Sequence, residues 1–308
     1  MRHTFYTSIC LCSLFSLVLF VMCLAGCTGQ QSPISFYRKP LMTLDSLIAL
    51  RPRFQAEKEQ EIKAAKKKLG SLPASSPKRY ELNKEIQQLY RGYICDSLIY
   101  YIYENIRLSR QLKDHEKTLE SEMSLAVYLA KSGMYLEALV LMDSIKRADV
   151  NDELLDLYYR AYNLIYRQKA YISKDKVLAE RVFAPLAKVY QDSLFAVVDS
   201  GSTIYYDVHI QKYMDEKKFT EALKLSENRL AMLTPGDREY AAVWYNIGDV
   251  KNMMGDMTGF FEAMMNSAIE DMKHCIKDHA SLHRIARTLY DWDCLLYTSP
   301  SPRDPKTS

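Results

Sequence analysis

The stretch from Leu119 to Ile145 constrains the fold most. Leu119, Met123, Ala126, Val127 and Ala130 recur at steps of three and four, the spacing of one face of an α-helix. Ser132-Gly133-Met134 interrupts the pattern, and Tyr135, Ala138, Leu139, Met142 and Ile145 then mark a second amphipathic stretch. The same plan returns later. Tyr240, Val243, Trp244, Ile247, Val250 and Met254 form one stripe, Gly255-Asp256 makes a turn, and Met257, Phe260, Phe261, Met264 and Ala268 form the next. A lone helix pair cannot bury its apolar stripe, whereas stacked pairs share one continuous core and create a curved inner surface. The expectation is an all-α chain built as a solenoid of helix pairs. From Lys78 onward Gly and Pro are scarce and sit at junctions, as in Thr234-Pro235-Gly236-Asp237, where Asp237 is a candidate N-cap for the helix carrying Trp244.

The spacing resembles the tetratricopeptide repeat. That motif places a bulky residue, Leu and a small residue on one helix, Gly at the turn, an aromatic residue, and Ala where the two helices cross. One copy reads Leu125, Ala126, Gly133, Tyr135, Ala138 and Met142. A second reads Trp244, Ile247, Gly248, Gly255 and Met257, with Phe260 at the crossing position, which predicts wider local packing. A third has Lys217 in the turn, followed by Phe219, Ala222 and Leu223; a fourth has Tyr158, Ala161, Lys169 and Tyr171. Aligned on residues 133, 169, 217 and 255, the copies are spaced by 36, 48 and 38 residues, which predicts an insertion around Val177–Leu194. The segment Tyr90–Leu112 is expected to form a further, irregular pair. Ala126, Gly133, Tyr135, Ala138, Trp244, Gly248 and Gly255 are the residues expected to set the packing of the repeats.

Both ends differ from this body. After Arg2 and His3, a nearly uncharged apolar run from Ile9 to Leu24 fits a secretory signal peptide better than a membrane span. It closes on Leu24-Ala25-Gly26-Cys27, which resembles the lipobox of bacterial lipoproteins, with cleavage between Gly26 and Cys27 and lipid attachment at Cys27. Residues 28–43 read as a polar linker that would hold the folded part off a membrane. Residues 44–77 read as a charged helix followed by a turn. Residues 78–293 hold the repeats. The tail, residues 294–308, resembles a translated sequencing adapter and contains three of the ten prolines, so the native sequence is expected to break off near Asp293.

Charge and chemistry narrow the functional classes. The formal charge is +3, of which Arg2 and the tail account for two units, leaving a nearly neutral body with no global footprint for nucleic acid. The charge run Glu57–Lys68 reads as a solvated helical face with acid-to-base pairs four residues apart. Of seven cysteines only Cys95 and Cys275 lie within the repeats, too few for a disulfide framework, and both read as small buried hydrophobes. No phosphate-binding glycine loop, nucleophile elbow or paired-histidine metal motif is present, so neither catalytic residues nor a cofactor are assigned. On a continuous helix Cys275, His279 and His283 would fall on one face and could approach a zinc ion, but the sequence offers no fourth ligand nearby, so no metal is assigned. The 23 tyrosines cluster at 100–103, 158–159 and 205–206; they can fill gaps between helices or line a surface for a peptide or glycan.

The order of several short segments resembles a family of Bacteroidetes envelope proteins with a domain of unknown function. These are Leu44-Asp45-Ser46-Leu47, Asp96-Ser97-Leu98-Ile99-Tyr100-Tyr101-Ile102, Ser132–Leu139, Ala268-Ile269-Glu270-Asp271 and Lys277–Leu282, spread over residues 43–291. The resemblance implies a non-catalytic, periplasm-facing sensor or scaffold region that binds a peptide or protein partner. In such proteins a transmembrane helix and a regulatory part with a helix-turn-helix-like end lie downstream. The alternative is a repeat lipoprotein acting as an envelope assembly adaptor. Either reading places the chain in the cell envelope, held by the lipid at Cys27, by a downstream membrane helix, or by both. Cys27→Ala is expected to abolish labelling by a fatty-acid analogue and to leave an unprocessed precursor; normal processing of that variant would refute lipidation.

Overall fold

The computed structural model describes residues 33–234, 236–277 and 279–291. The signal segment with Gly26 and Cys27, and the tail beyond residue 291, lie outside the described residues. Residues 44–288 form one compact unit, which holds the features that follow. The elements are α1 (Pro33–Gly70), α2 (Lys78–Tyr90), α3 (Cys95–Gln111), α4 (His115–Lys131), α5 (Tyr135–Asp143), α6 (Leu155–Ile172), α7 (Ala184–Val197), α8 (Thr203–Asp215), α9 (Phe219–Ala231), α10 (Tyr240–Met253), α11 (Met257–Lys273) and α12 (Ala280–Asp291). A single turn at Lys176–Leu178 and a π-helical stretch at Ala179–Phe183 lead into α7. Among the described residues there is no strand, and the architecture is an all-α helical repeat.

One turn design joins most of the pairs. Gly133 has φ +85°, its N–H bonds Ala130 O, and the next N–H, of Met134, reaches back to Leu129 O. This is the left-handed closure that satisfies the last carbonyls of a helix. The same two bonds recur at Gly255, and also at Lys113, Lys217 and Cys275, which adopt φ between 56° and 58° without being glycine. A side chain in this conformation costs roughly 1–2 kcal/mol, so these positions are held by the helices they join. Asp114 and Asp256 then cap the following helices, accepting from Lys117 N and Gly259 N.

The helices stack in chain order, α3 on α4, α4 on α5 and α6, α6 on α7, and so on to α10 on α11. The largest core runs from Ile62 of α1 through Ile86, Ile102, Met123, Ala126, Ala138, Met142 and Ala161 to Ile165. A second cluster joins Val243, Ile247 and Ala263 beneath Leu223, Leu230 and Trp244. Buried polar groups tie α2, α3 and α4 together. The hydroxyl of Tyr80 lies 2.8 Å from Glu120 Oε2 and 2.9 Å from Ser121 Oγ, and Asn83 donates to Asn105, whose amide donates to Tyr80 O. Burial pushes the Tyr80 phenol well above its usual range, so it stays a neutral donor.

Several expectations are corrected. The charged helix starts at Pro33, inside the segment read as a linker; proline at a first helical position leaves no hydrogen bond unmade. The fourth copy was misplaced, because Lys169 lies inside the unbroken helix α6. The turn of that pair is Ser173-Lys174-Asp175, and the residues taken for an insertion form its second helix. With Lys174 as the turn, the steps of 36 and 48 become 41 and 43. Asp237 does not cap α10: its carboxylate turns back to accept from Thr234 N and Oγ1, which holds it below the usual carboxylate range. Cys95 is exposed, at the first turn of α3, while Cys275 is buried; both are free thiols.

Phe260 does not widen the last crossing, because the small residue there comes from the facing helix. Gly248 is buried, and a β-carbon on it would overlap the Met264 methyl and come within 3.3 Å of Ala263 Cβ. Gly248→Leu is expected to destabilise the protein by about 3 kcal/mol through overpacking, read as a lower urea midpoint. Gly248→Ala is expected to stay close to wild type, since the flexible Met264 end can move and alanine favours the helix.

Candidate functional site

The first and last parts of the unit meet. The backbone N–H of Lys277 donates to Gly92 O at 2.6 Å, and the Lys277 ammonium lies 4.3 Å from the centre of the Tyr93 ring. Arg238 donates to Gln88 O. Gly92 has φ +72°, and a β-carbon there would press on Ile276 at 3.2 Å. Beside this closure lies a cavity of about 810 Å³. Its walls are the α2–α3 loop, the end of α4, the start of α10, the α11–α12 turn and the start of α12, with Lys58 of α1 at one side. The size is that of a small-ligand or short-peptide site rather than of a folded partner.

The wall is largely apolar, and among its charged groups cations outnumber acids. Lys58, Arg91, Lys131, Arg238 and Lys277 stand against Glu239 and Asp271. Glu239 is already committed: it takes an ion pair from Arg229, which also donates to Thr203 Oγ1. That arrangement fixes the start of α10 to α8 and α9. Asp271 faces the Ser281 hydroxyl at 3.4 Å. Lys131 touches water, yet protein walls around it remove much of its solvation and push its ammonium below the usual range, with Arg91 and Arg160 adding like-charge repulsion. Arg160, on α6, is likewise pushed down by burial, and its Nε has no hydrogen-bond partner among the described residues. Asp207 is exposed, yet the surrounding protein and Glu239 push its carboxyl up, against the pull of Arg229, Arg160 and Lys131.

The residues singled out from the sequence build the frame, not this cavity. Ala126 and Ala138 are fully buried, Tyr135 packs on the main core and Trp244 on the second one, and Gly133 and Gly255 occupy turns. None of them lines the cavity. The tyrosine clusters divide: Tyr101 and Tyr158 are buried, whereas Tyr100 and Tyr103 are exposed. A stack of Tyr162 on Tyr190 at 4.5 Å, flanked by Tyr166, fills the junction of α6 and α7. The cavity uses other tyrosines, 90, 93, 128 and 245. The charged cavity residues missed were Lys58, Arg91, Lys131, Arg238, Glu239, Asp271 and Lys277. No spacing marked the arginines and the α4 lysine: Arg91 and Arg238 lie in loops and Lys131 at the end of α4.

Cys275, His279 and His283 do not share a helical face. α11 ends at Lys273, Cys275 adopts the left-handed turn, and α12 starts only at Ala280. Among the described residues no group of three His, Cys, Asp or Glu side chains is placed to hold a metal ion. No described helix is long and apolar enough to cross a membrane.

A family model described as the SusR N-terminal TPR domain matches residues 48–294. The match covers most of the chain, and the chain belongs to this family of Bacteroidetes proteins. It is a tetratricopeptide-type helical-repeat module, a class whose members generally mediate protein–protein contacts. Among curated proteins no match is found.

His274 supplies a pH test of the cavity wall. Burial, with Arg238, Lys58 and Lys273 nearby, holds its imidazole below the ordinary histidine value of 6.5, against the opposing pull of Glu270, and its Nε2 is buried without a partner. The unfolded chain therefore binds that proton at higher pH than the folded one. The neutral ring's contribution is fully present above the unfolded value and is lost as pH falls through it. Between pH 7.5 and 5.5 the melting temperature is expected to drop more in wild type than in His274→Gln; equal drops would refute this role.

Proposed function

We propose that the chain is the non-catalytic sensing module of a membrane-bound signalling or transcription-regulatory protein, and that it faces the periplasm and binds a peptide or protein partner in the cavity. The observation that carries this reading is the 810 Å³ cavity, whose largely apolar wall also carries cations, hydroxyls and an amide, formed where the first and last helix pairs of the repeat array meet. A wall built from both ends of the array lets an occupant bias how the ends sit, and a differential contact of this kind is what a ligand needs to shift a conformational equilibrium. The apolar leader ending at Cys27 supports export and attachment to the envelope. It also favours a second reading, an envelope assembly adaptor anchored by lipid alone. A downstream apolar span of about 20 residues in the gene belongs to the sensor, and its absence to the adaptor.

Ala242 faces the cavity and is exposed. Ala242→Trp is expected to fill the cavity while leaving protein level and melting temperature near wild type. In cells carrying the intact gene it should lower the transcriptional response roughly tenfold or more, equivalent to at least 1.4 kcal/mol of lost coupling. A normal response from the tryptophan variant would refute the cavity as the sensing site.

A further inference from the structure

We infer that the repeat unit consists of two lobes, residues 44–198 and 203–288, which turn about the seam between α7 and α8 and open the cavity at the contact between Gly92 and Lys277. This deepens the reading of the cavity as the binding site by supplying the motion that an occupant would bias, and its test needs no occupant. The cavity draws its wall from both lobes, from Tyr90, Arg91 and Tyr128 of the first and from Ala242, Tyr245 and His274 of the second. The two apolar cores divide in the same way. The main core, with the side chains packed on it, runs from Phe54 on α1 to Val197 at the end of α7, and among the described residues beyond Val197 only Cys275 belongs to it. Val243, Ile247 and Ala263, with Leu223, Leu230 and Trp244 against them, all lie in the second lobe.

The lobes are held at two places that differ in kind. At the seam α7 meets α8 far less closely than α6 meets α7 or α8 meets α9. It is spanned by a ring contact of Phe195 with His209 at 5.0 Å, by the Lys212 ammonium 4.6 Å from the centre of the Phe195 ring, and by a 3.2 Å hydrogen bond from Gln191 to Asp215. The chain crosses there through residues 198–202, outside any helix, with Gly201 at φ +94°. A few loop residues able to absorb backbone rotation are what a hinge needs. The other place is a latch: Lys277 N–H on Gly92 O, Arg238 on Gln88 O, and Cys275 of the second lobe buried in the core that holds Ile62 and Tyr93 of the first. α1 runs beside the same turn, where Arg51 and Gln55 share a small pocket with Cys275 and Leu282. Parting the latch breaks no helix and leaves both cores intact apart from Cys275, which it uncovers.

The test follows N-ethylmaleimide labelling of Cys275 in the folded chain, read peptide by peptide by mass spectrometry. A buried thiol reacts only when it is uncovered. Wild type is expected to label Cys275 faster than the protein unfolds as a whole, and more slowly than the exposed Cys95. Phe195→Ala and Asp215→Ala, which lie at the seam and not at the latch, should each raise the Cys275 rate roughly fivefold, the effect of losing one hydrogen bond or ring contact. Asp215 is exposed, so its variant keeps the test decisive if Phe195→Ala does not fold. Ile247→Val, which weakens the second lobe's own core, should leave the rate unchanged. If neither seam variant speeds labelling, only the α11–α12 turn frays and the inference falls. It falls too if Ile247→Val speeds labelling as much as the seam variants do, or if wild type labels Cys275 no faster than it unfolds. A normal cellular response from Ala242→Trp would remove the sensing role of the cavity and leave these rates to decide the motion.

Discussion

The bond from Lys277 N–H to the carbonyl of Gly92 is the contact on which the cavity depends. A single backbone hydrogen bond contributes only about 1 kcal/mol net. Its neighbours, Arg238 on Gln88 O, Lys277 over Tyr93 and Ile276 against Gly92, make the closure a surface rather than a point. Cys275 sits in the same core cluster as Ile62 and Tyr93, so the last turn is packed among the first helices as well as bonded to them. Without that meeting, Arg91 of the α2–α3 loop and Arg238 just before α10 would not share one wall.

The left-handed turns set the geometry that makes the meeting possible. Their equivalence is clear in the structure and only half visible in the sequence. Gly133 and Gly255 declare themselves, because glycine is the residue that reaches this backbone conformation without penalty. Lys217 was legible from its helical neighbours. Lys113 and Cys275 were not, because nothing in their side chains announces a turn; the bonds back to Ser109 O and Asp271 O impose it. Lys169 misled for the opposite reason. An aromatic two residues later, at Tyr171, imitates the repeat, while the local sequence has no breaker and α6 simply continues.

The helical class and the identity of the packed stripes were readable because burial forces a period of 3.6 residues. The site was not, because it is assembled from loops and helix ends of separate pairs, where periodicity carries no information about which side becomes concave. Arg91, Lys131 and Arg238 look like ordinary surface charges in the sequence. Only the stacking of the helix pairs brings these charges from separate elements to one cavity wall. The supposed histidine–cysteine face failed on the same principle: spacing in sequence defines a face only while the helix persists, and α11 stops at Lys273.

A stack of helix pairs is ordinarily open at both ends, so units can be added or deleted with each affecting only its neighbours. Closure between Gly92 and Lys277 removes that freedom. One more pair would carry the α11–α12 turn past the α2–α3 loop, and one fewer would leave it short. The array is therefore counted, in the way a closed barrel has a fixed number of strands. Divergence within such a chain is steered into substitutions and loop lengths rather than into gain or loss of whole units.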